Sequence, residues 1–325
     1  MSLDEVARKY AVALSPQIEA LIDRDDPQDP IARQFLPDVA ELTVRAEELE
    51  DPIADEAYSP VKGVVHRHPD RVLLKPVNTC PVYCRFCFRR EVVGPGKGAL
   101  KPSELAAALS YIDAHPEIWE VIVTGGDPFT LSPRHMRQLG KALADMGHVK
   151  VVRWHTRVPM VTPERVTDEL AGALSVAGIE SWVAIHANHP REFTLDAQAA
   201  IARLRHAPVP LVSQSVLLKG VNDDVEILAK LMRNFVAAGI KPYYLHHPDL
   251  ARGTSHFRLG LDEGLDLVRD LRARISGLAQ PLYVLDLPGG YGKVPLHSGT
   301  VRRTPKGYRI RDGGGRWHDY PPRSS

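Results

Sequence analysis

The chain has little of several things that would assign it to a class at once. Its 325 residues include only three cysteines, all between Cys80 and Cys87. An odd number in so short a run cannot be a disulfide framework. In a reducing compartment, clustered thiols point to metal or redox chemistry. Net charge is only +1, so no global field draws nucleic acid or an anionic membrane. The pairs Arg89–Arg90 and Arg302–Arg303 are too short to form a binding tract. No apolar run reaches the ~18 residues of a transmembrane helix. The stretch Met1–Leu14 lacks the basic and apolar regions of a signal peptide. These absences predict a cytoplasmic protein with neither nucleic acid nor membrane as partner. No repeat or low-complexity tract stands out. What is present is ordinary: 44% hydrophobic and 25% charged residues, and enough length to bury a core.

Residues 1–65 mix short helical patterns with Pro- and Asp-rich breaks and read as a helical N-terminal extension. From there to residue 280, β-rich runs alternate with amphipathic segments. The expected strands are Val72–Val77, Val121–Thr124, Lys150–His155, Trp182–His186, Leu211–Leu217 and Pro242–His246. Ser132–Pro133 opens a helix that Gly147 ends, and Thr162–Pro163–Glu164 opens another that Gly178 ends, the Pro-first, Gly-last asymmetry of helices. Asn222–Asp223 opens a third, up to Gly239. Strands alternating with helices imply βαβ units and a parallel sheet, and this number of units suits a partial or complete barrel. The segment 281–325 adds a strand at Leu282–Asp286. Its Gly-, Pro- and Ser-rich tail, 313–325, is expected to end the fold loosely.

The cysteine run reads Asn78-Thr-Cys80-Pro-Val-Tyr-Cys84-Arg-Phe-Cys87-Phe-Arg-Arg90. It follows the first of these strands, at the C-terminal mouth where parallel α/β folds carry chemistry. Three thiolates can hold three irons of a cubane and leave the fourth open to another ligand. Structural zinc wants four N/S ligands, and no nearby Cys/His knuckle completes such a set. Three inert thiols at this spacing would be a coincidence. The Cys-x3-Cys-x2-Cys run resembles the signature of the radical S-adenosylmethionine (SAM) superfamily. That resemblance implies a [4Fe–4S] cluster on Cys80, Cys84 and Cys87, and SAM bound to the open iron. It also implies reductive cleavage to a 5′-deoxyadenosyl radical, and a partial (β/α)6 barrel.

Residues 286–293 read Asp-Leu-Pro-Gly-Gly-Tyr-Gly-Lys. This is not a P-loop, since Leu287 stands where the first glycine belongs and Val294 follows the lysine. A glycine turn with a solvated lysine is the plain alternative. Placed after a strand and opened by a carboxylate, the segment can instead bring the backbone close to a ligand and present a lysine for a Schiff base.

Further segments make the resemblance closer. They are His66-Arg-His-Pro-Asp-Arg71, Gly125-Gly-Asp-Pro128, His186-Ala-Asn-His-Pro190, Gln214-Ser-Val-Leu-Leu-Lys-Gly-Val-Asn-Asp223, Tyr243-Tyr-Leu-His-His-Pro-Asp-Leu250 and Pro288-Gly-Gly-Tyr-Gly-Lys293. Together with the cysteine run they resemble the lysine 2,3-aminomutase family over about residues 25–300. The resemblance implies pyridoxal 5′-phosphate (PLP) held covalently by Lys293, with Arg67 and Arg71 on its phosphate. It places Gly125, Gly126, Asp127, His186 and Gln214 beside SAM. It gives Arg89 the substrate α-carboxylate, and Asp249 and Asp286 the side-chain ammonium of lysine. It further implies a reductant protein such as flavodoxin or ferredoxin, and leaves room for a homo-oligomer. His246 and His68 stand where family members carry tyrosine, and no cysteine remains for the structural zinc of larger members. Arginine, ornithine or glutamate would be alternative substrates of the same chemistry. The chain's length and its Tyr243-Tyr-Leu-His run are also similar to a subgroup that supplies β-lysine to elongation factor P. From another class, a non-catalytic iron–sulfur redox protein would need no lysine-bound PLP.

Overall fold

The computed structural model describes residues 2–322. Two antiparallel strands, β1 (Val64–His68) and β2 (Arg71–Val77), open its main sheet. β3 (Glu120–Gly125), β4 (Val151–Thr156), β5 (Glu180–His186), β6 (Leu211–Val216), β7 (Lys241–His246) and β8 (Leu282–Leu287) follow. From β2 to β8 each strand pairs in parallel with the next. β9 (Gly292–Pro295) turns back antiparallel on β8. The nine strands lie in the sheet in chain order. Consecutive order with helical crossovers curls the sheet toward closure. The two edges meet at the mouth: a Cβ on Gly292 in β9 would stand 3.0 Å from the His68 ring in β1. This is the expected α/β partial barrel.

All six expected parallel strands form, because their apolar residues have one face to bury against helices. In β4, Val152 and Trp154 are buried in that layer, while Arg153 and His155 face the lumen. The helix from Ser132–Pro133 is Pro133–Asp145, with the Ser132 side chain accepting from His135 N–H. Two expectations needed correction. The helix read from Thr162 to Gly178 is broken: Pro163–Arg165 is a single 3-10 turn, and a helix restarts at Asp168–Leu174. Thr167 caps the restart by accepting from Leu170 N–H. Nor does the tail end loosely as far as it is described. β10 (Val301–Thr304), β11 (Gly307–Arg311) and β12 (Trp317–Tyr320) form a second antiparallel sheet. It is anchored by buried Ile310 and Tyr320. Residues 323–325 of that tail lie outside the described residues.

The N-terminal helices Leu3–Lys9, Pro16–Leu21 and Pro30–Phe35 brace the cysteine loop. Tyr83 N–H donates to Ala13 C=O, and Arg85 N–H to Gln34 C=O. Fully buried Glu41 accepts two hydrogen bonds from Arg85, at 2.9 and 2.5 Å, and one from Arg90. A buried pair of this kind is weak evidence for stability, but removing its anion strands two interior guanidiniums. Glu41→Ala is expected to cost about 3–5 kcal/mol. The check is the urea midpoint followed by circular dichroism.

Candidate active site

One cavity of about 920 Å³ fills the barrel, and every residue singled out above as a site residue lines it. At its upper end stand the three thiols. Cys80 is pushed up by burial and by Asp127, Cys87 and Cys84; Cys87 rises to about 11 through burial and Cys84. Alone, Cys80 and Cys87 thus favour the protonated thiol, and a bound cationic metal would hold them as thiolates. Among the described residues no three thiol, imidazole or carboxylate groups converge tightly enough for a single metal ion. Three thiols that open on one cavity, in a sequence with no fourth cysteine, fit the protein ligands of a cluster that keeps one iron open. Arg157, after β4, donates to Cys84 Sγ at 2.9 Å.

The Gly-Gly-Asp segment explains itself by close approach. Gly126 N–H donates to Val77 C=O at 2.7 Å and Asp127 N–H to Thr79 C=O at 2.9 Å, so the end of β3 grips the strand just before Cys80. A Cβ on Gly126 would lie 2.1 Å from Thr79 O, and one on Gly125 (φ +114°) 2.4 Å from Val77 O. The Asp127 carboxylate is fully engaged. Oδ1 accepts from Phe129 N–H at 3.0 Å and the Thr156 hydroxyl at 2.8 Å, and Oδ2 from Arg157 N–H at 2.7 Å. It thus ties the ends of β3 and β4 together. His186, ending β5, lies 3.1 Å from Asn188 Oδ1. Burial and Arg157 keep its imidazole neutral, well below the usual range. Gln214 on β6 lies 3.3 Å from His246 Nε2.

Lys293 sits opposite Asp286 across the β8–β9 hairpin, and its Nζ donates to both carboxylate oxygens at 2.8 and 2.9 Å. Burial pushes Asp286 up, but Lys293 and His246 outweigh it and hold the carboxyl far below its usual range. His246 Nδ1 lies 3.3 Å from the same carboxylate. Asp249 lies just beyond β7. Its Oδ1 is buried with no hydrogen-bond partner. Burial and the Asp286 charge push its carboxyl up to about 8.

Arg67 and Arg89 meet on one carboxylate that sequence reasoning missed. Asp55 accepts from Arg67 Nη2 and Arg89 Nε, each at 3.0 Å, with Lys75 Nζ at 3.5 Å. Burial raises Asp55, yet these three cations, Arg89 foremost, bring it below its ordinary value. Arg71 stands apart from that group, paired with Asp70 at 2.7 Å. Arg157 was missed as well. So was His155, whose Nε2 is buried in the lumen without a partner among the described residues. The turn Asp312–Arg316 also reaches the cavity. None carries a sequence signal, because single charged residues acquire meaning only from partners far along the chain.

Comparison with known proteins gives this geometry a context. Residues 74–232 match the Radical SAM superfamily. The chain is 37% identical to the L-lysine 2,3-aminomutase of Clostridium subterminale, over 90% of this chain and 70% of that one. It is 35% identical to the glutamate 2,3-aminomutase of Clostridioides difficile, over 90% and 69% respectively. Among solved structures, a radical SAM methyltransferase from Sphaerobacter thermophilus superposes with a TM-score of 0.50 at 19% identity, covering 68% of each chain. That likeness concerns the fold alone.

Proposed function

The chain belongs to the lysine 2,3-aminomutase family of radical SAM enzymes, and from that premise we propose that L-lysine is its substrate, with β-lysine as product. The reaction class is an intramolecular amino transfer, an isomerisation. When bound, the [4Fe–4S] cluster with SAM supplies one-electron chemistry able to break an unactivated C–H bond, and PLP supplies the carrier for the migrating nitrogen.

Cys80, Cys84 and Cys87 would hold the cluster. Gly125 and Gly126 would open a backbone surface to SAM, with Asp127 fixing that surface in place and His186 and Gln214 beside it. Lys293 would hold PLP. Arg67 and Arg71 flank His68, whose ring abuts Gly292. Burial, Arg71, Arg67 and Lys293 all lower that imidazole, to about 4; Arg67, already on Asp55, and Arg71, already on Asp70, would each turn a remaining N–H to the PLP phosphate. Arg89 would orient the α-carboxylate, with Asp55 fixing its Nε and leaving its Nη groups for the substrate. The lumen of the partial barrel then holds the reacting groups together. A small reductant protein such as flavodoxin or ferredoxin would deliver the electron.

The observation that carries lysine is the shortage of cations at Asp249 and Asp286. The ammonium of Lys293 is spent on both oxygens of Asp286, and a buried oxygen of Asp249 has no partner. A substrate ammonium supplies the missing charge. Glutamate would bring a third carboxylate to the same place, at a Coulombic cost.

The test is an anaerobic assay with dithionite, SAM and PLP on lysine, arginine, ornithine and glutamate. Lysine is expected to be turned over fastest; faster turnover of glutamate would overturn the reading. Hydrogen bonds to charged groups contribute about 1.5–3 kcal/mol, so Asp249→Asn should lose roughly ten- to a hundredfold in kcat/KM for lysine. The pH profile carries a second signature. With the Asp249 carboxyl at about 8, lysine must expel its proton at lower pH. In that range kcat/KM should rise about tenfold per pH unit from this group alone, and the slope should fall by one proton in Asp249→Asn.

A further inference from the structure

One further contact to the cysteine loop comes from the end of β4. Arg157 donates through Nη1 to Cys84 Sγ at 2.9 Å. Its Nη2 donates to Gln34 Oε1 at 2.6 Å and to Glu192 Oε2 at 2.8 Å. Its guanidinium carbon stands 4.6 Å from the Phe35 ring centre and 5.4 Å from that of Phe86. Arg157, Gln34 and Glu192 are all buried. Glu192 is itself fixed, its other oxygen accepting from the backbone N–H groups of Asn188 and His189 at 2.9 Å each. A guanidinium clamped on both sides, with one arm spent on a sulfur, is a costly arrangement for packing alone. A neutral thiol is a weak acceptor. A metal-bound thiolate is a strong one, because the acceptor then carries charge.

We propose that Arg157 is a positioning residue that sets the reduction potential of the iron–sulfur cluster by donating to the Cys84 sulfur, and that Glu192 is the counter-charge that moderates it. This rests on Cys80, Cys84 and Cys87 being the ligand set. Hydrogen bonds to cluster sulfurs and local charge are what tune such potentials. Reduction adds one negative charge to the cluster. A cation and an N–H donor at Cys84 stabilise that reduced form, and the carboxylate on the far arm of the same guanidinium opposes them.

The experiment is a redox titration of the anaerobically reconstituted full-length protein. Dithionite and mediators set the potential, electron paramagnetic resonance reads the reduced cluster, and iron is counted in parallel. In Arg157→Gln/Glu192→Gln, which removes both charges together, the reduced-to-oxidised ratio at a fixed potential should fall about tenfold, equivalent to about 59 mV for one electron. In Glu192→Gln alone the ratio should rise, because Arg157 loses its counter-charge. Opposite shifts at an unchanged count of about four irons are not what a merely structural contact produces. Shifts of the same sign, or none with iron retained, would overturn the proposal. Should the double variant fail to hold iron, the single variant decides, and an unchanged or lowered potential there overturns it. Wild-type protein that takes up no iron would instead sink the ligand assignment, so the two failures are distinguishable.

Discussion

Alanine at Cys80, Cys84 or Cys87 is expected to leave a folded chain that no longer cleaves SAM. All three thiols face the cavity and are only partly buried, so little packing is lost with each sulfur. The loop's shape comes from elsewhere: from Glu41 between Arg85 and Arg90, from the backbone bonds to Ala13 and Gln34, and from β3 gripping Thr79. Far-ultraviolet circular dichroism should therefore match wild type. The loss is chemical. No spare cysteine exists, and removing one ligand from a set of three leaves a second iron unheld. Iron per chain should drop, the cluster absorption should bleach, and 5′-deoxyadenosine should not accumulate with dithionite and SAM. A cysteine variant that keeps four irons and cleaves SAM would refute the ligand set. Stoichiometric zinc without iron in anaerobic wild-type protein would do the same.

The barrel was legible because its strands are apolar runs bounded by capped helices, as in Pro133–Asp145, where Ser132 and Gly147 mark both ends. What escaped notice lacked such periodicity. Pro159 and Pro163 hid the break between Val158–Val161 and Asp168–Leu174, since a proline reads equally well as a helix start. The sheet β10–β12 hid behind its glycine turn, though Tyr308, Ile310 and Tyr320 pack on the core. At the site, motif residues were visible in the chain but their pairings were not. Arg67 and Arg89 share Asp55, which lies in an Asp-rich loop that marks no single member. Asp286 was read for its place beside a substrate, and the structure adds that Lys293 and His246 already lean on it. Sequence spacing names groups that share a cavity; it cannot say which charges neutralise one another there.

That pairing shapes the last expected result. Borohydride treatment of PLP-loaded protein should fix the cofactor on Lys293, and Lys293→Ala should abolish both the covalent adduct and amino-group migration. Lys219 is exposed on a turn, and Lys241 Nζ donates to the Leu278 carbonyl at 2.6 Å on the surface. Neither lines the cavity. Lys75 is the serious alternative, since burial and Arg89 lower its pKa, which is what an imine-forming lysine needs. It stands on Asp55 at 3.5 Å, however, and does not line the cavity. Lys293 does, with its side chain about one-third exposed toward the space it would fill. Its ammonium must shed a proton to solvent before it can act as a nucleophile, since the Asp286 carboxylate that holds it is too weak a base to accept one. Lys293→Ala also removes the cation paired with Asp286, whose charge acts on Asp249 as well. A loss of activity could then reflect two repelling carboxylates. Lys293→Arg separates the causes, because it keeps the charge and cannot form the bond. Both variants are expected to lose the adduct absorption and the trapped peptide. If Lys293→Arg still yields a borohydride-fixed cofactor, peptide mapping would point to Lys75, and the lysine of the glycine segment would be left as the partner of Asp286 alone.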